Sequence, residues 1–460
     1  MFRKQFRPLG PLARYVSTRP RKAAVSMAPP PLRMNPLESA GKTPKGEPSM
    51  DNFLKRIGSS DLLWFTLLSV VTASPFLTRV AMAAMPITPD FLIKSVVYPI
   101  YCGGENYDEV RATGRKLLNR GVSNMMLSYS VEDAEGTASA ETFENSLRAI
   151  NGSVAGVFAK HNKESQELYE TSAINTPPAS GYIALKPTGL MPNSAEILAN
   201  YNKPEFADKW EQYLNVCRSI CQNAVDHGEG KVVIVFDAEK VWLQDGVYAA
   251  QREMMKEFNR DGQVVVCGTV QMYLQKSYQF LNNEIELAKK GNYQVAMKLV
   301  RGAYIRSEPN RMQDIHVTKE ATDKSFNDGS NLMLDYIVQG WNNPTKPSPV
   351  GQLVVASHNF DSCNMIDARM KREAPVGFDH AKDCSVVFAQ LLGMNDHQTC
   401  DLTDRGLKVI KYVPWGPVKE TKDYLHRRLE ENTDAARGGW SNVFAGVNEM
   451  VRRAFRVSRA

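Results

Sequence analysis

A helix-like stretch near the C-terminus, residues 421–432, carries the side chains best suited to binding a small anion. Its polar residues recur at intervals of three and four, which aligns them on one stripe of a helix. Two guanidinium groups on one face can hold a carboxylate through paired hydrogen bonds. A surface helix with an ordinary i,i+4 ion pair is also consistent with this spacing. The residues of the stripe are Tyr424, Arg427, Arg428 and Glu431.

A second candidate stretch, residues 295–305, reads VAMKLVRGAYI. Its apolar β-formers predict a buried strand. The strand carries Lys298 and ends in Arg301, Gly302 and Tyr304, so it brings cationic and aromatic groups to one strand end.

Both stretches belong to a repeated alternation of apolar runs and amphipathic segments. The amphipathic segments predict helices, and successive strands joined by helical connections of this length run parallel to each other. Eight such units fit a closed barrel, and no GxGxxG follows the first run, as a dinucleotide-binding sheet would require. We therefore predict the α/β class and a (βα)8 TIM-like barrel. The predicted strand runs are 122–130, 181–190, 231–239, 263–273, 294–305, 351–360, 384–394 and 407–416.

Polar residues end many of these runs, and in a (βα)8 barrel all strand ends meet on one rim. The rim has an excess of positive charge, which suits an anionic ligand. A metal site is not expected, because His358 has no His or Cys partner at ligand spacing. A serine-hydrolase triad is not expected either, since no GxSxG elbow occurs. The rim residues are Lys186, Asp237, Glu239, Gln271, Lys298, Arg301, Tyr304, His358, Asn359 and Tyr412.

The net charge of +6 comes from the N-terminus. Residues 1–37 hold eight basic residues and no acid, and the rest holds 48 basic and 50 acidic residues. Composition therefore gives no case for nucleic-acid binding. The basic block is typical of a mitochondrial targeting segment, or else of a plain disordered tail, and prolines at 29–48 predict an unstructured spacer.

These patterns divide the chain into four parts. Residues 1–48 form the disordered targeting segment and spacer, 49–121 an N-terminal helical extension, 122–436 the catalytic barrel and 437–460 a C-terminal helical tail. The apolar run 62–77 is too short for a membrane span and is interrupted by Pro75. It predicts a buried helix or one lying against another surface.

The motifs KLVRGAY and YLHRRLEEN resemble the two signature stretches of the proline dehydrogenase family, most closely its mitochondrial, fungal-type members. The likeness covers about residues 90–450. It implies the same barrel, an FAD cofactor in residues 122–436, and oxidation of L-proline to Δ1-pyrroline-5-carboxylate by hydride transfer to the flavin. It further implies that electrons pass to membrane ubiquinone, on the matrix side of the mitochondrion, with a peripheral contact to the inner membrane left open.

The resemblance also implies roles for single residues. Arg427 and Arg428 would hold the proline carboxylate, and Lys186, oriented by Asp237, would add positive charge. Lys298 would lie near flavin N5, where bacterial relatives carry Arg. Aromatic and apolar residues would enclose the proline ring: Tyr304, Tyr412, Tyr424 and Leu392. The other cofactor contacts would be Gln271 at the flavin pyrimidine, with Val300, Gly302, Thr322, His358 and Glu431.

Two other functions stay open at this point. A lysine at a strand end beside Asp237 could form a Schiff base, so Lys186 fits a barrel lyase or aldolase. The run 62–77, together with C-terminal Arg452, Arg453, Arg456 and Arg459, fits a non-catalytic membrane-associated protein.

Overall fold

The computed structural model of the chain describes most of residues 48–457. The expected targeting segment and nearly all of the spacer lie outside the described residues, as does the Glu431 side chain. The described ranges are 48–129, 139–174, 176–305, 308–346, 348–380, 382–383, 385–435 and 439–457, without the side chains at 423, 429–435, 439, 456 and 457.

Eight parallel strands close into a single barrel in chain order, which confirms the predicted (βα)8 fold. Each strand lies within its predicted run or within one residue of it. The strands are β1 Asn124–Tyr129, β2 Gly181–Leu185, β3 Val232–Phe236, β4 Val266–Gln271, β5 Val295–Val300, β6 Val350–Ala356, β7 Val386–Leu391 and β8 Val409–Trp415.

Helices surround the barrel, and six of those in the described part of the chain precede the first strand. The helices are α1 Met50–Arg56, α2 Ser59–Ala73, α3 Pro75–Ala84, α4 Asp90–Val96, α5 Tyr98–Tyr101, α6 Tyr107–Leu118, α7 Ala140–Ser153, α8 Lys160–Glu170, α9 Ser194–Ala199, α10 Ala207–His227, α11 Val241–Phe258, α12 Ser277–Gly291, α13 Arg311–Asp314, α14 Lys319–Asn342, α15 Phe360–Glu373, α16 Asp396–Asp404, α17 Val418–Ala435 and α18 Gly439–Val457.

Side-chain alternation along the strands separates two cores. One set of strand residues packs against the surrounding helices, for example Ile183 and Ile234, and the alternate set fills the barrel interior, for example Ala184 and Val235. The interior set continues past the strand ends, so the next residues in phase lie at the barrel mouth. These residues include the candidate site residues described below.

The apolar run 62–77 is divided between two helices rather than forming one buried helix. Ser74 caps the helix that begins at Pro75, and the axes of Ser59–Ala73 and Pro75–Ile87 differ by 105°. Only one side of α2 is buried, and α2 packs along α18. Among the described residues no single helix is long and apolar enough to cross a membrane, although this bent pair meets the test by length and composition.

Candidate active site

The carboxylate of Asp237, just after β3, is the centre of the polar cluster at the barrel mouth. Lys186 Nζ lies 3.3 Å from Oδ2, and Lys298 Nζ forms a salt bridge to Oδ1. The Tyr412 hydroxyl donates a 2.8 Å hydrogen bond to Oδ2. One buried carboxylate, just after β3, therefore joins a residue of β5, a residue of β8 and the residue that follows β2.

Strand alternation explains why these four residues meet. Tyr182 and Ala184 point into the barrel, and Lys186 is next in that phase. The same alternation directs Asp237 inward after Val233 and Val235. It also directs Lys298 of β5 and Tyr412 of β8 inward. Long side chains at the mouth can then reach one another across the interior.

The charges of the cluster favour an ionised Asp237. Burial opposes ionisation, but the ammonium groups of Lys298 and Lys186 more than offset it, so the pKa of Asp237 lies below its usual range. Burial and the neighbouring Asp237 carboxylate raise the pKa of Tyr412, so its hydroxyl keeps its proton and remains a donor. The cluster thus holds two ammonium groups against one carboxylate and carries a net positive charge.

A chain of hydrogen bonds supports the loops on one side of this cluster. The buried Glu239 carboxylate accepts bonds from Thr188 N at 3.0 Å and Thr188 Oγ1 at 2.9 Å, which fixes the turn after Lys186. Gln271 is fully buried; its Nε2 donates to Glu239 O at 2.8 Å and its Oε1 accepts from Ala303 N at 3.1 Å. Gln271 therefore lies behind the mouth and connects the ends of β4 and β5 to Glu239.

Arg301, at the end of β5, is held by three hydrogen bonds and a ring contact. Its guanidinium donates to Asp323 Oδ1 at 2.7 Å, Ser357 Oγ at 2.6 Å and Ser362 Oγ at 2.8 Å. It also lies 4.3 Å from the centre of the Phe326 ring. These contacts fix a positive charge between the ends of β5 and β6, beside the N-terminus of α14.

Gly302 follows with a φ of +154°, and a Cβ there would lie 2.4 Å from ring atoms of Tyr273. The position therefore requires glycine for both conformation and space. Val300 pairs with Gln271 across the sheet, and Thr322 lies in the first turn of α14, one residue before Asp323. Of the expected cofactor contacts, Val300, Gly302 and Thr322 thus gather around the Arg301 corner.

His358 lies in the loop after β6. Its Nε2 accepts a 3.4 Å hydrogen bond from Leu391 N, and its buried Nδ1 has no hydrogen-bond partner among the described residues. Burial, with the positive charges of Lys411 and Arg428, lowers the pKa of His358 to about 3. A neutral imidazole with one open nitrogen is thus available at the rim.

Two residues of the stripe on α17 are buried. Tyr424 and Arg428 are buried, and the guanidinium carbon of Arg428 lies 4.8 Å from the Tyr424 ring centre. The influence of Arg428 on His358 shows that its charge lies near the β6 end. The burial of Tyr424 and Arg428 does not fit a surface position for this part of the helix. The alternative of an Arg427–Glu431 ion pair involves the Glu431 side chain, which lies outside the described residues. Arg427 is half-buried.

Two residues expected to contact the substrate, Tyr304 and Leu392, lie in the loops after β5 and β7. Tyr304 is half-buried in the loop after β5, and its carbonyl accepts a 3.1 Å bond from Glu308 N. Leu392 N donates to Tyr412 O at 3.0 Å, and Leu392 is among the residues that line a cavity of about 290 Å³ together with Phe65 and Tyr98 of the N-terminal helices.

Sequence reasoning places Glu239 and Arg301 at strand ends but gives neither a role. Their roles depend on partners far along the chain, such as Thr188 and Ser357. Their strand-end positions are the signal that could have singled them out.

A family model described as proline dehydrogenase matches residues 110–438. The carbapenem antibiotics biosynthesis protein CarD of Pectobacterium carotovorum subsp. carotovorum is 28% identical over 79% of this chain and 85% of its own length. Mitochondrial proline dehydrogenase 1 of Dictyostelium discoideum is 27% identical over 75% of this chain, and the match spans 62% of that relative. A probable mitochondrial proline dehydrogenase of Schizosaccharomyces pombe is 31% identical over 52% of this chain and 48% of its length.

A crystal structure of proline utilization A from Bdellovibrio bacteriovorus, inactivated by N-propargylglycine, is similar over 84% of this chain and 36% of that chain. The TM-score is 0.60 and the sequence identity 18%, so this likeness supports the barrel fold alone.

Proposed function

Because residues 110–438 match its model, the chain belongs to the proline dehydrogenase family, and we propose that it oxidises L-proline to Δ1-pyrroline-5-carboxylate with FAD as cofactor. Ubiquinone is the proposed electron acceptor, and the matrix side of the mitochondrion the proposed location, with a peripheral contact to the inner membrane. The observation that carries the proposal is the positively charged cluster around Asp237 at the barrel mouth, together with the buried pair Tyr424 and Arg428 on α17.

The described residues fit an anionic flavin cofactor. The mouth of the barrel carries the ammonium groups of Lys186 and Lys298 and the fixed guanidinium of Arg301. The open, buried Nδ1 of His358 offers a further polar contact. In the proposal the cofactor is held by Lys298, Val300, Gly302, Thr322, His358 and Glu431. Gln271, fully buried behind the mouth, supports the loops around the cofactor through Glu239 and Ala303. When bound, FAD supplies the acceptor for the hydride that leaves the proline ring.

The substrate side uses the helix stripe and the strand-end lysine. Arg427 and Arg428 hold the proline carboxylate, and Lys186 adds positive charge beside it. Tyr304, Tyr412 and Tyr424 enclose the ring and exclude water, which favours one reactive geometry. Leu392 is left out of this enclosure, because it lines the cavity beside the N-terminal helices.

Asp237 acts through its neighbours. It fixes the Lys186 and Lys298 ammonium groups and the Tyr412 hydroxyl in one network, so the floor of the site is rigid and positive. Burial next to these cations lowers the pKa of the substrate amine, so the amine releases its proton to solvent as it binds, before hydride departure. The nitrogen lone pair can then form the C=N bond as the hydride leaves the ring carbon.

The lyase alternative requires a neutral Lys186 amine. In the structure Lys186 Nζ instead lies 3.3 Å from Asp237 Oδ2, in an ion pair. The experiment that separates the two is oxidation of L-proline by the purified, FAD-supplemented protein with an artificial dye as acceptor. Dye reduction that depends on L-proline supports the proposal. No dye reduction, together with borohydride trapping of a carbonyl substrate on Lys186, would replace it with the lyase.

A further inference from the structure

The outward side of α18 carries a stripe of large apolar side chains. Its members are spaced four, three, four and four residues apart, which places them on one narrow face of the helix. The outward face of a helix in a soluble protein is normally polar, and a continuous exposed apolar patch marks a docking surface. The stripe consists of Trp440, Phe444, Val447, Val451 and Phe455, with exposed fractions of 55%, 65%, 42%, 48% and 67%.

The opposite side of α18 is firmly attached to the N-terminal helices. Gly446 allows a close approach to α2, because a Cβ there would lie 2.2 Å from Thr66 Oγ1. Glu449 accepts a 3.1 Å bond from Arg453 Nε, and Arg453 Nη2 donates to the carbonyls of Leu54 at 2.7 Å and Ile57 at 2.9 Å. Because this side of α18 packs against α1 and α2, the stripe on the opposite side faces outward.

The neighbouring helices add exposed apolar side chains of their own. Leu63 and Leu67 on α2 are 46% and 48% exposed. Phe76 on α3, Ile87 after it and Phe91 on α4 are 71%, 84% and 67% exposed. The exposed apolar surface of the N-terminal helices is therefore extensive.

The charges near the stripe are positive. Arg452 is exposed on α18, one residue after Val451. The acids of the two packed helices are paired: Glu449 with Arg453 and Arg452, and Asp61 with Arg120 at 2.7 Å. The described surface of α18 therefore combines apolar, aromatic and cationic groups, with its acid buried on the other side.

We propose that the α18 stripe docks on a phospholipid surface with anionic headgroups, with the helix lying in the plane of the interface. A helix with aromatic and aliphatic residues on one side and arginines beside them binds in this way. A second copy of the chain would present an identically charged stripe, whereas an anionic lipid surface presents the opposite charge. The inference rests on the proposed function, because it gives the peripheral membrane contact a defined surface.

Vesicle flotation of the full-length, FAD-supplemented protein tests this inference. We compare vesicles of phosphatidylcholine alone with vesicles of equal parts phosphatidylcholine and phosphatidylglycerol. The double variant Phe444→Glu, Val451→Glu should lower binding at least about tenfold. The control Val376→Glu adds one charge at a fully exposed valine after α15 and should bind like the parent. Arg452→Gln should weaken binding to the anionic vesicles only.

A fluorescence readout locates the contact. Docking should shift tryptophan emission to shorter wavelength, and Trp440→Phe should bind with little change while losing that shift. Binding of the double variant equal to the parent would overturn the inference. So would light scattering that shows a dimer of the parent protein, abolished in the double variant, together with no vesicle binding.

The membrane test and the activity test are independent. Flotation requires no turnover, and dye-coupled proline oxidation requires no vesicles. Loss of flotation with intact dye reduction is the expected result for the double variant. A parent protein that floats but never oxidises proline would contradict the proposed function and leave the docking surface supported.

Discussion

The Tyr412 hydroxyl donates a 2.8 Å hydrogen bond to Asp237 across the barrel mouth, from β8 to the end of β3. These strands are not neighbours in the sheet. The same carboxylate pairs with Lys186 and Lys298. Asp237 is therefore the residue on which the geometry of the candidate site depends.

Asp237→Asn should destabilise the protein and impair proline oxidation. The amide cannot neutralise two ammonium groups, and removing one member of a buried ion pair typically costs about 3–5 kcal/mol. We expect a lower melting temperature and a kcat/KM for proline reduced about a hundredfold or more. The double variant Asp237→Asn, Lys186→Met removes one ammonium group as well, so its stability loss should be smaller than the sum of the two single losses. Additive losses would contradict the network.

The barrel could be predicted from sequence because each strand combines a short apolar run with polar residues at its end. The meeting of Lys186, Asp237 and Tyr412 also follows, since alternation and closure place them on one rim. The partners of Gln271 could not be predicted. Its amide bonds to Glu239 O and Ala303 N depend on loop conformations that have no local sequence signal. The cavity beside Leu392 likewise depends on packing against the N-terminal helices, for example at Phe65 and Tyr98.

Arg428→Ala should raise the KM for proline by about a hundredfold, with flavin still bound, because it removes a charge-assisted contact to the carboxylate. Arg428→Lys keeps the charge but loses the planar fork, so it should fall between the parent and the alanine variant. Steady-state kinetics with a dye acceptor and the flavin absorbance of each variant give both readouts. Unchanged KM in Arg428→Ala would contradict the assigned role.

Gly302→Ala should destabilise the Arg301 corner. The new Cβ would lie 2.4 Å from the Tyr273 ring, in a backbone conformation with a φ of +154°. We expect a stability loss of about 3 kcal/mol and weaker FAD retention. Gly262→Ala is the matched control, because its φ is +80° and no atom lies within 4 Å of the added carbon. That variant should lose about 1 kcal/mol from backbone strain alone. Equal losses would show that the contact with Tyr273 does not matter.

The folded protein should lose stability as the pH falls below about 6.5, partly through His358. Its pKa is lowered to about 3 in the folded chain, by burial and by Lys411 and Arg428. Below the ordinary histidine pKa the unfolded chain binds a proton that the folded chain does not. The free energy of unfolding of His358→Asn should therefore fall less steeply than that of the parent between about pH 6.5 and 3. The two slopes should differ by less than about 1.4 kcal/mol per pH unit.

Thermal melts across this pH range, at saturating FAD, give the measurement for His358→Asn. The exposed His227→Gln should follow the parent curve and serves as the control. The same slope in His358→Asn and the parent would rule out a neutral, buried His358.

The visible absorption spectrum under anaerobic conditions tests the central claim most directly. The account predicts that the purified protein binds FAD, is yellow, and loses its flavin absorbance near 450 nm when excess L-proline is added. Protein that takes up no flavin, or that binds it and stays oxidised in excess L-proline, would contradict the account.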